Sequence, residues 1–492
     1  MEDFIVEYLQ QQYEDAAHFS RIRDRMKAAP RQVVLRLSRP TDDRSVRIEG
    51  LRHKVHEWLS QEGVAHLYRV EVQPHAILDD VLTMDISIHT VDQQQPPPQQ
   101  SPSPSQQSPS PPPPKSHKIS IFPDNHERCG WPLTHRAVLV DRLCGEAVLR
   151  GADVFCRGIL AADPGIQRNE QIAVYVNLTT KVARGSSLDR YNGACIYLGL
   201  GRSCMGRNEY FARRQGRAIR LSARPHERAA PLLPPLDDWL RDGSLFAQNL
   251  SSAVVAHILD PQPGECIFDV CGAPGGKTSH LAARARYQAT IVMADRSRAK
   301  VQRAVQLFRQ LGCDSCIHAM PMDGTACVEY RTDIAQKTVP ELLATADKDD
   351  TGLRAITKFF PGTFDKNLLD PPCSALGLRP KLAITPTTKE QFLSFSNYQT
   401  RFLKPAVDLL KPGGTLVYST CTLFARENEG MVQHILETYP TMRLQTITLP
   451  LGSPGLPGQG LSAADCAKVR RFDPTVTDST GFFIAVFCKV LQ

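Results

Sequence analysis

At 492 residues and 42% hydrophobic content the chain has enough material for two or three packed domains. No run of about 18 apolar residues occurs, which argues against a membrane span. Fourteen cysteines behind an acidic, mixed N-terminus, MEDFIVEYLQQQYEDAAHF, lack the signal that would accompany a disulfide-stapled secreted fold, so reduced thiols and a cytoplasmic location are expected.

In chain order, RQVVLRLSR alternates like a strand, LRHKVHEWLSQ reads as a helix and HLYRVEVQ as a second strand, which makes residues 1–92 a small α/β region. It is expected to pack with the C-terminal domain that begins at residue 229. From Gln93 to Pro114 only Gln, Pro and Ser occur, and residues 93–116 are read as a disordered linker because such a composition cannot bury a core. The apolar runs AVLV, AVLRGADVF, IAVYVNL and ACIYLGLG follow, broken at short intervals by Gly, Asp or Asn; residues 117–228 are read as a small β-barrel or sandwich. Within them, Gly201–Arg228 holds eight arginines against Glu209 and Glu227 and no lysine, a pattern suited to bidentate phosphate contacts.

From residue 229 onward helical stretches alternate with the strands CIFDV, TIVMAD, CIHAMPMD, FDKNLLD and TLVYST, as in a mostly parallel sheet with helices on both faces. Ligands of such sheets bind beyond the carboxyl ends of the strands. The groups standing there are Asp269, Asp295, Asp323, Asp370 and Cys421. The turn after the first strand, DVCGAPGGKTSHLA, is not a P-loop, since Cys271 occupies the position of its first glycine, and Ala273 and Pro274 break the dinucleotide pattern. What remains is a loop in which Cys271, Gly272, Ala273, Pro274, Gly275, Gly276 and Lys277 can approach a carboxylate at a helix N-terminus. Asp295 would accept from a ribose and Asp323 from an exocyclic amine, a set that suits S-adenosylmethionine (SAM). For Asp323 an Asx-turn before glycine is an equal alternative. No metal is expected, because Cys313 and Cys316 in LGCDSC have no second ligand pair.

Two further cysteines, Cys373 in LDPPC and Cys421 in YSTCT, close short turns after apolar runs, with no nearby His in sequence to serve as a base. DVCGAPGGKTSHLA, LLDPPCSALGLRP and VYSTCTLFARENEG resemble three motifs of the NSun/Nop2 family of RNA (cytosine-5) methyltransferases, in that family's order and spacing, over residues 231–492. GEAVLRGADVFCRGIL resembles a PUA domain, an RNA-binding barrel, and QNLSSAVVAHILDPQPGE resembles the PUA-containing branch of the family, which acts at the acceptor end of tRNA. Gly272 and Pro371 depart from the alanines common there, and residues 331–360 match poorly.

The resemblance implies a Rossmann-like SAM-dependent domain with a PUA domain. It also implies that Cys421 attacks C6 of cytosine, that Cys373 assists release, and that Asp370 holds the base and contributes to cofactor binding with Lys277 beside it. An unperturbed thiol near pKa 8.5 is only a few per cent thiolate at neutral pH, so such a site must supply positive charge or dipoles. The target base must leave its stack to react, and the acceptor stem of a tRNA is the easiest end to open. The PUA domain would then grip the single-stranded CCA end. A monomer acting without a protein partner is expected. Alternatives are the same chemistry on rRNA or mRNA, and a non-catalytic RNA-binding protein, against which the paired thiols argue.

Overall fold

The computed structural model describes residues 2–13, 15–39, 43–61, 68–88, 135–178, 181–188, 191, 193–223, 239–331, 333, 336–347, 353–382 and 389–491. The Gln/Pro/Ser tract, the stretch 117–134 at the start of the expected barrel segment, and Arg224 and Arg228 lie outside them. The chain divides into two compact units, one of Met1–Val55, Glu71–Asp85 and Leu233–Gln492, the other of His56–Val70 and Ile86–Leu232.

Near the N-terminus, β1 (Gln32–Leu37), β2 (Tyr68–Pro74) and β3 (Val81–Ile88) accompany helices Glu2–Gln10, Ala16–Met26 and Arg44–Gln61. The second unit contains β4 (Arg136–Val140), β5 (Val154–Phe155), β6 (Ile159–Ala162), β7 (Gln171–Asn177), β8 (Cys195–Ser203) and β9 (Arg217–Ala223), in one sheet of order β5-β9-β8-β7-β4-β6. One expected strand is partly a helix. Residues Arg142–Leu149 coil because Asp141 caps them, its side chain accepting from the Cys144 amide, and only Val154–Phe155 of the AVLRGADVF run stays extended.

Several side chains of the arginine-rich segment have partners within the unit. Arg207 donates to the carbonyls of Ala162 and Gly185 at 3.2 Å, Arg213 pairs with Glu209 at 2.8 Å, Arg217 pairs with Asp153 at 3.0 Å, and Arg202 donates to the Asn169 carbonyl. Four of the six described arginines are therefore engaged in holding the unit's own loops. Arg214 and Arg220 are exposed.

The strand β10 (Leu245–Ala247) joins the N-terminal strands in a sheet of order β10-β1-β3-β2. The main sheet follows, with β11 (Cys266–Asp269), β12 (Thr290–Asp295), β13 (Ile317–Pro321), β14 (Phe364–Leu369), β15 (Leu410–Thr420), β16 (Met442–Gln445), β17 (Arg470–Phe472) and β18 (Phe482–Lys489). Its order is β13-β12-β11-β14-β15-β18-β16, with β17 on β18. The first five strands are parallel and β18 runs antiparallel to β15.

Successive residues alternate between two apolar layers. Ile267, Ile291 and Val417 join the helices Leu250–Leu259, Gly276–Arg284 and Arg298–Leu311, whereas Phe268, Val292 and Tyr418 join Lys389–Asp408 and Glu429–Thr438. Both faces are covered, which is why these strands read as continuous apolar runs. Strand order reverses between β11 and β14, so the turns that follow these two strands flank a crevice. Among the described residues, no helix is long and apolar enough to cross a membrane.

Candidate active site

The turns after β11, β14 and β15 bring Lys277, Asp370, Cys373 and Cys421 together. Lys277 lies at the start of helix Gly276–Arg284, with Gly275 at its N-cap in the left-handed region at φ 102°. A Cβ there would meet the Phe308 ring at 2.7 Å, so only glycine lets the helix begin this close to its neighbour. At Gly272 a Cβ would lie 2.4 Å from Met293 and 2.8 Å from the Asp269 carboxyl. These two glycines serve close packing of the loop on the protein, not simply the approach of a ligand. Cys271 and Ala273 pack against the two apolar layers. Burial, first of all, pushes the Cys271 thiol well above its usual value.

Lys277 Nζ donates to Asp370 Oδ2 at 2.6 Å and lies 5.2 Å from the centre of the Phe482 ring. Ser419 Oγ donates to the other oxygen, Oδ1, at 3.0 Å. Burial alone would push the Lys277 ammonium down, but Asp370, through charge and hydrogen bond, and then Cys421 and Asp269 hold it above its ordinary value. Lys277 is therefore an ammonium at neutral pH.

The two sulfurs are 3.3 Å apart. This one contact treats them oppositely: the hydrogen bond to Cys373 lowers the Cys421 thiol, and the same bond raises Cys373 well above its usual value. Burial opposes the first shift and reinforces the second. Charge acts on Cys421 in both directions, Asp370 raising it and Lys277, by a smaller effect, lowering it. The state the hydrogen bond favours is a Cys421 thiolate accepting from a Cys373 S–H, so positive charge and a donor stand in for the histidine that the sequence does not offer.

The remaining acids are less alike than their common position at strand ends implies. Asp269 lies beneath the rim, fully buried, where Thr278 Oγ1 donates to its Oδ2 at 2.7 Å; burial raises its carboxyl to about 7, and Oδ1 has no partner. Asp295 is half-buried and accepts from the Ser297 amide through one oxygen at 2.8 Å. Asp323 is exposed and forms the Asx-turn weighed as its alternative, Oδ1 accepting from the Thr325 amide at 2.9 Å and hydroxyl at 2.7 Å. Helix-terminal amides, two acids with an oxygen to spare and an unpartnered buried carboxylate oxygen together suit a ligand with a carboxylate, hydroxyls and positive charge. Cys313 and Cys316 stand elsewhere as buried thiols raised to about 12 and about 11 by burial, each donating to a main-chain carbonyl.

Two supports were not anticipated from sequence. Arg36 of β1, fully buried, donates to Ser279 Oγ at 2.5 Å in the helix that carries Lys277, and to Gln248 Oε1 at 2.6 Å. Asp80 accepts from His257 Nε2 at 2.7 Å and from His280 Nε2 at 2.8 Å. Burial alone would raise the Asp80 carboxyl, but these imidazole donors hold it far below the usual range. Burial pushes His280 down to about 4, so it donates as a neutral ring. Nothing local in the sequence marks either contact.

Residues 256–488 match the family described as 16S rRNA methyltransferase RsmB/F, and residues 136–188 match the PUA domain. The chain is 36% identical over 379 residues to the mouse tRNA (cytosine(72)-C(5))-methyltransferase NSUN6, covering 72% of this chain and 74% of that one. It is 32% identical to the Arabidopsis thaliana rRNA (cytosine-C(5))-methyltransferase NOP2C, over 72% and 73%. The crystal structure of NSun6 from Pyrococcus horikoshii with SFG shares the fold, with a TM-score of 0.64 and 23% identity over 99% of this chain and 98% of that one. Likeness at this level, sustained across both the sheet with its paired thiols and the second unit, places the chain in the NSun family of SAM-dependent RNA cytosine-5 methyltransferases, in the branch that carries a PUA domain.

Proposed function

We propose that this protein methylates C5 of a cytosine in the acceptor stem of tRNA, just before the discriminator base. In the proposed cycle Cys421 forms a covalent bond to C6 and Cys373 assists release. The observation that carries the chemistry is the polarised thiol pair, 3.3 Å apart beside the Lys277–Asp370 ion pair. C5 of cytosine is a poor nucleophile until something adds at C6. Cys421, the sulfur favoured as thiolate, makes that bond, while Asp370 hydrogen-bonds the base at its N3/N4 edge and stabilises its protonated form. SAM, when bound, supplies the methyl group. Cys373 then assists removal of the C5 proton, and as the C5=C6 double bond re-forms the Cys421–C6 bond breaks, returning the thiolate. Gly272–Lys277 would hold the cofactor's carboxylate end, with Asp370 beside them, and Asp295 and Asp323 its ribose and purine.

The choice of tRNA rests on the mouse relative's stated activity and on the PUA match, with the CCA end as the single-stranded element gripped by the PUA domain. The Arabidopsis relative keeps rRNA as a second reading. The test is a denaturing gel of protein mixed with SAM and tRNA. Cys421→Ala should give neither product nor adduct, Cys373→Ala should accumulate a covalent protein–RNA species, and the double variant should lose it. Trapping by Cys421→Ala and not by Cys373→Ala would reverse the assignment. Parallel reactions with rRNA fragments separate the two substrate readings.

A further inference from the structure

The Cys373 turn is held from both sides by groups that the proposed reaction leaves unused. On one side the Pro372 carbonyl accepts from Gln399 Nε2 at 3.1 Å; on the other the Ser374 amide donates to Glu427 Oε2 at 3.0 Å. These two holds are one, because Gln399 Nε2 also donates to Glu427 Oε2 at 2.7 Å. The Tyr418 hydroxyl lies 2.7 Å from the Glu427 carbonyl and 3.1 Å from Gln399 Oε1. From the other thiol's turn, Thr422 and Ser374 share a hydroxyl hydrogen bond of 2.8 Å. Glu427, Gln399, Tyr418 and Thr422 are all fully buried.

A buried carboxylic group is a costly way to hold two amides, since the side-chain carbonyl of a glutamine would accept the same two bonds without a charge to desolvate. Glu427 Oε1 has no partner at all, and burial raises the carboxyl to about 7. Its negative form stands close enough to both thiols to disfavour their ionisation. Glu427 and Gln399 bond directly to the backbone on either side of Cys373, and meet the Cys421 side only through the Tyr418 hydroxyl and the Ser374–Thr422 bond; Cys421 itself is carried by the end of β15 and by the bond from the Gly377 amide to its own carbonyl, 2.9 Å. Loss of the Glu427 carboxyl therefore acts first on Cys373.

We propose that Glu427, acting with Gln399, is the positioning residue of Cys373, fixing the Pro372–Ser374 turn so that this thiol meets the covalent intermediate. Loss of the clamp impairs release of RNA and spares attack. The inference rests on the role proposed for Cys373, but the location of that thiol is read independently.

The experiment uses the full chain with Glu427→Ala, Glu427→Gln and, should the alanine variant not fold, Gln399→Met. In RNA-free protein, iodoacetamide labelling followed by peptide mass spectrometry should show Cys373 alkylated at least about tenfold faster in Glu427→Ala with Cys421 within about threefold of wild type, and Glu427→Gln near wild type. With tRNA and SAM, Glu427→Ala should accumulate the covalent species as Cys373→Ala does, and Glu427→Gln should restore release. Unchanged labelling at Cys373, or equal loss of adduct and product, would overturn the proposal. If Cys373→Ala releases product normally, the role given to Cys373 fails, and the labelling ratio alone still decides whether Glu427 positions it.

Discussion

Replacing Lys277 by methionine removes one charge while keeping an apolar stem against Phe482. The ammonium stands 2.6 Å from Asp370, and the two side chains are 16% and 26% exposed. At an effective dielectric of ~20, unit charges at that separation attract by roughly 6 kcal/mol, most of it cancelled by the cost of desolvating them. Breaking a fully buried pair costs about 3–5 kcal/mol, so this partly exposed pair should lose about 2–3 kcal/mol. If that loss falls on the attack step, the single-turnover rate drops about 30- to 150-fold. Because the Lys277 value is raised, its contribution is complete below the ordinary lysine range and is lost only as pH climbs through the raised value. Any change in rate between pH 6 and 8 should therefore come from Cys421, Asp269 and Glu427 rather than from Lys277. The assay is methyl transfer from labelled SAM under single turnover, alongside iodoacetamide labelling of Cys421 in RNA-free protein. A rate within about threefold of wild type, with Cys421 labelling unchanged, would refute the view that Lys277 supports the thiolate.

Asp295→Ala should abolish or greatly weaken SAM binding in a calorimetric titration, and undiminished affinity would remove Asp295 from the site. Deleting the CCA end of a tRNA should reduce methylation far more than altering its anticodon loop, and equal rates would refute CCA docking; affinity should also fall steeply with added salt if phosphate contacts dominate. Behind the Cys421 turn, Arg471 donates to both oxygens of the fully buried Glu429 at 3.0 and 2.7 Å and to the Leu423 carbonyl at 3.0 Å. Arg471→Met should lower stability by about 3–5 kcal/mol, read as a fall in melting temperature of roughly 4–7 °C, while adding Glu429→Leu should recover much of it.

The main sheet was legible because each of its parallel strands is apolar on both faces and ends in a turn former, so runs such as TIVMAD and TLVYST announce both a strand and the position of its end. The convergence of Lys277, Asp370, Cys373 and Cys421 follows from those ends and from the strand order. Burial was not legible. Asp269 and Asp295 look alike as final residues of strands, yet one lies under the glycine loop and the other on the rim. Arg36 reads as the solvent face of an alternating strand, and only tertiary packing turns that face toward helix Gly276–Arg284. The arginines of Gly201–Arg228 were read for the fit of their guanidinium forks to phosphate; that some of these forks also hold the unit's own carbonyls, as Arg207 does, was not legible. Helix Arg142–Leu149 escaped because a single capping aspartate outweighed the apolar run behind it.

Two thiols in contact share one proton more readily than they lose both, and a cycle of attack and release requires that proton to be on a particular sulfur at each stage. In the free enzyme the hydrogen bond from Cys373, helped by Lys277 against the charge of Asp370, favours a Cys421 anion, and Cys373 keeps its proton because it donates to that anion. On the proposed assignment, bonding of Cys421 to C6 converts it from thiolate to thioether. The acceptor that held the Cys373 proton then disappears, along with a neighbouring negative charge, so Cys373 becomes easier to ionise at the stage when a base is needed near C5. When the C6–S bond breaks the thiolate returns, and with it the reason for Cys373 to be protonated. The contact would thus reset itself without a separate base such as histidine. Glu427 belongs to the same logic: at about 7 its carboxyl is neutral often enough not to oppose the first anion, whereas a permanently ionised group in its place would disfavour thiolate at both sulfurs.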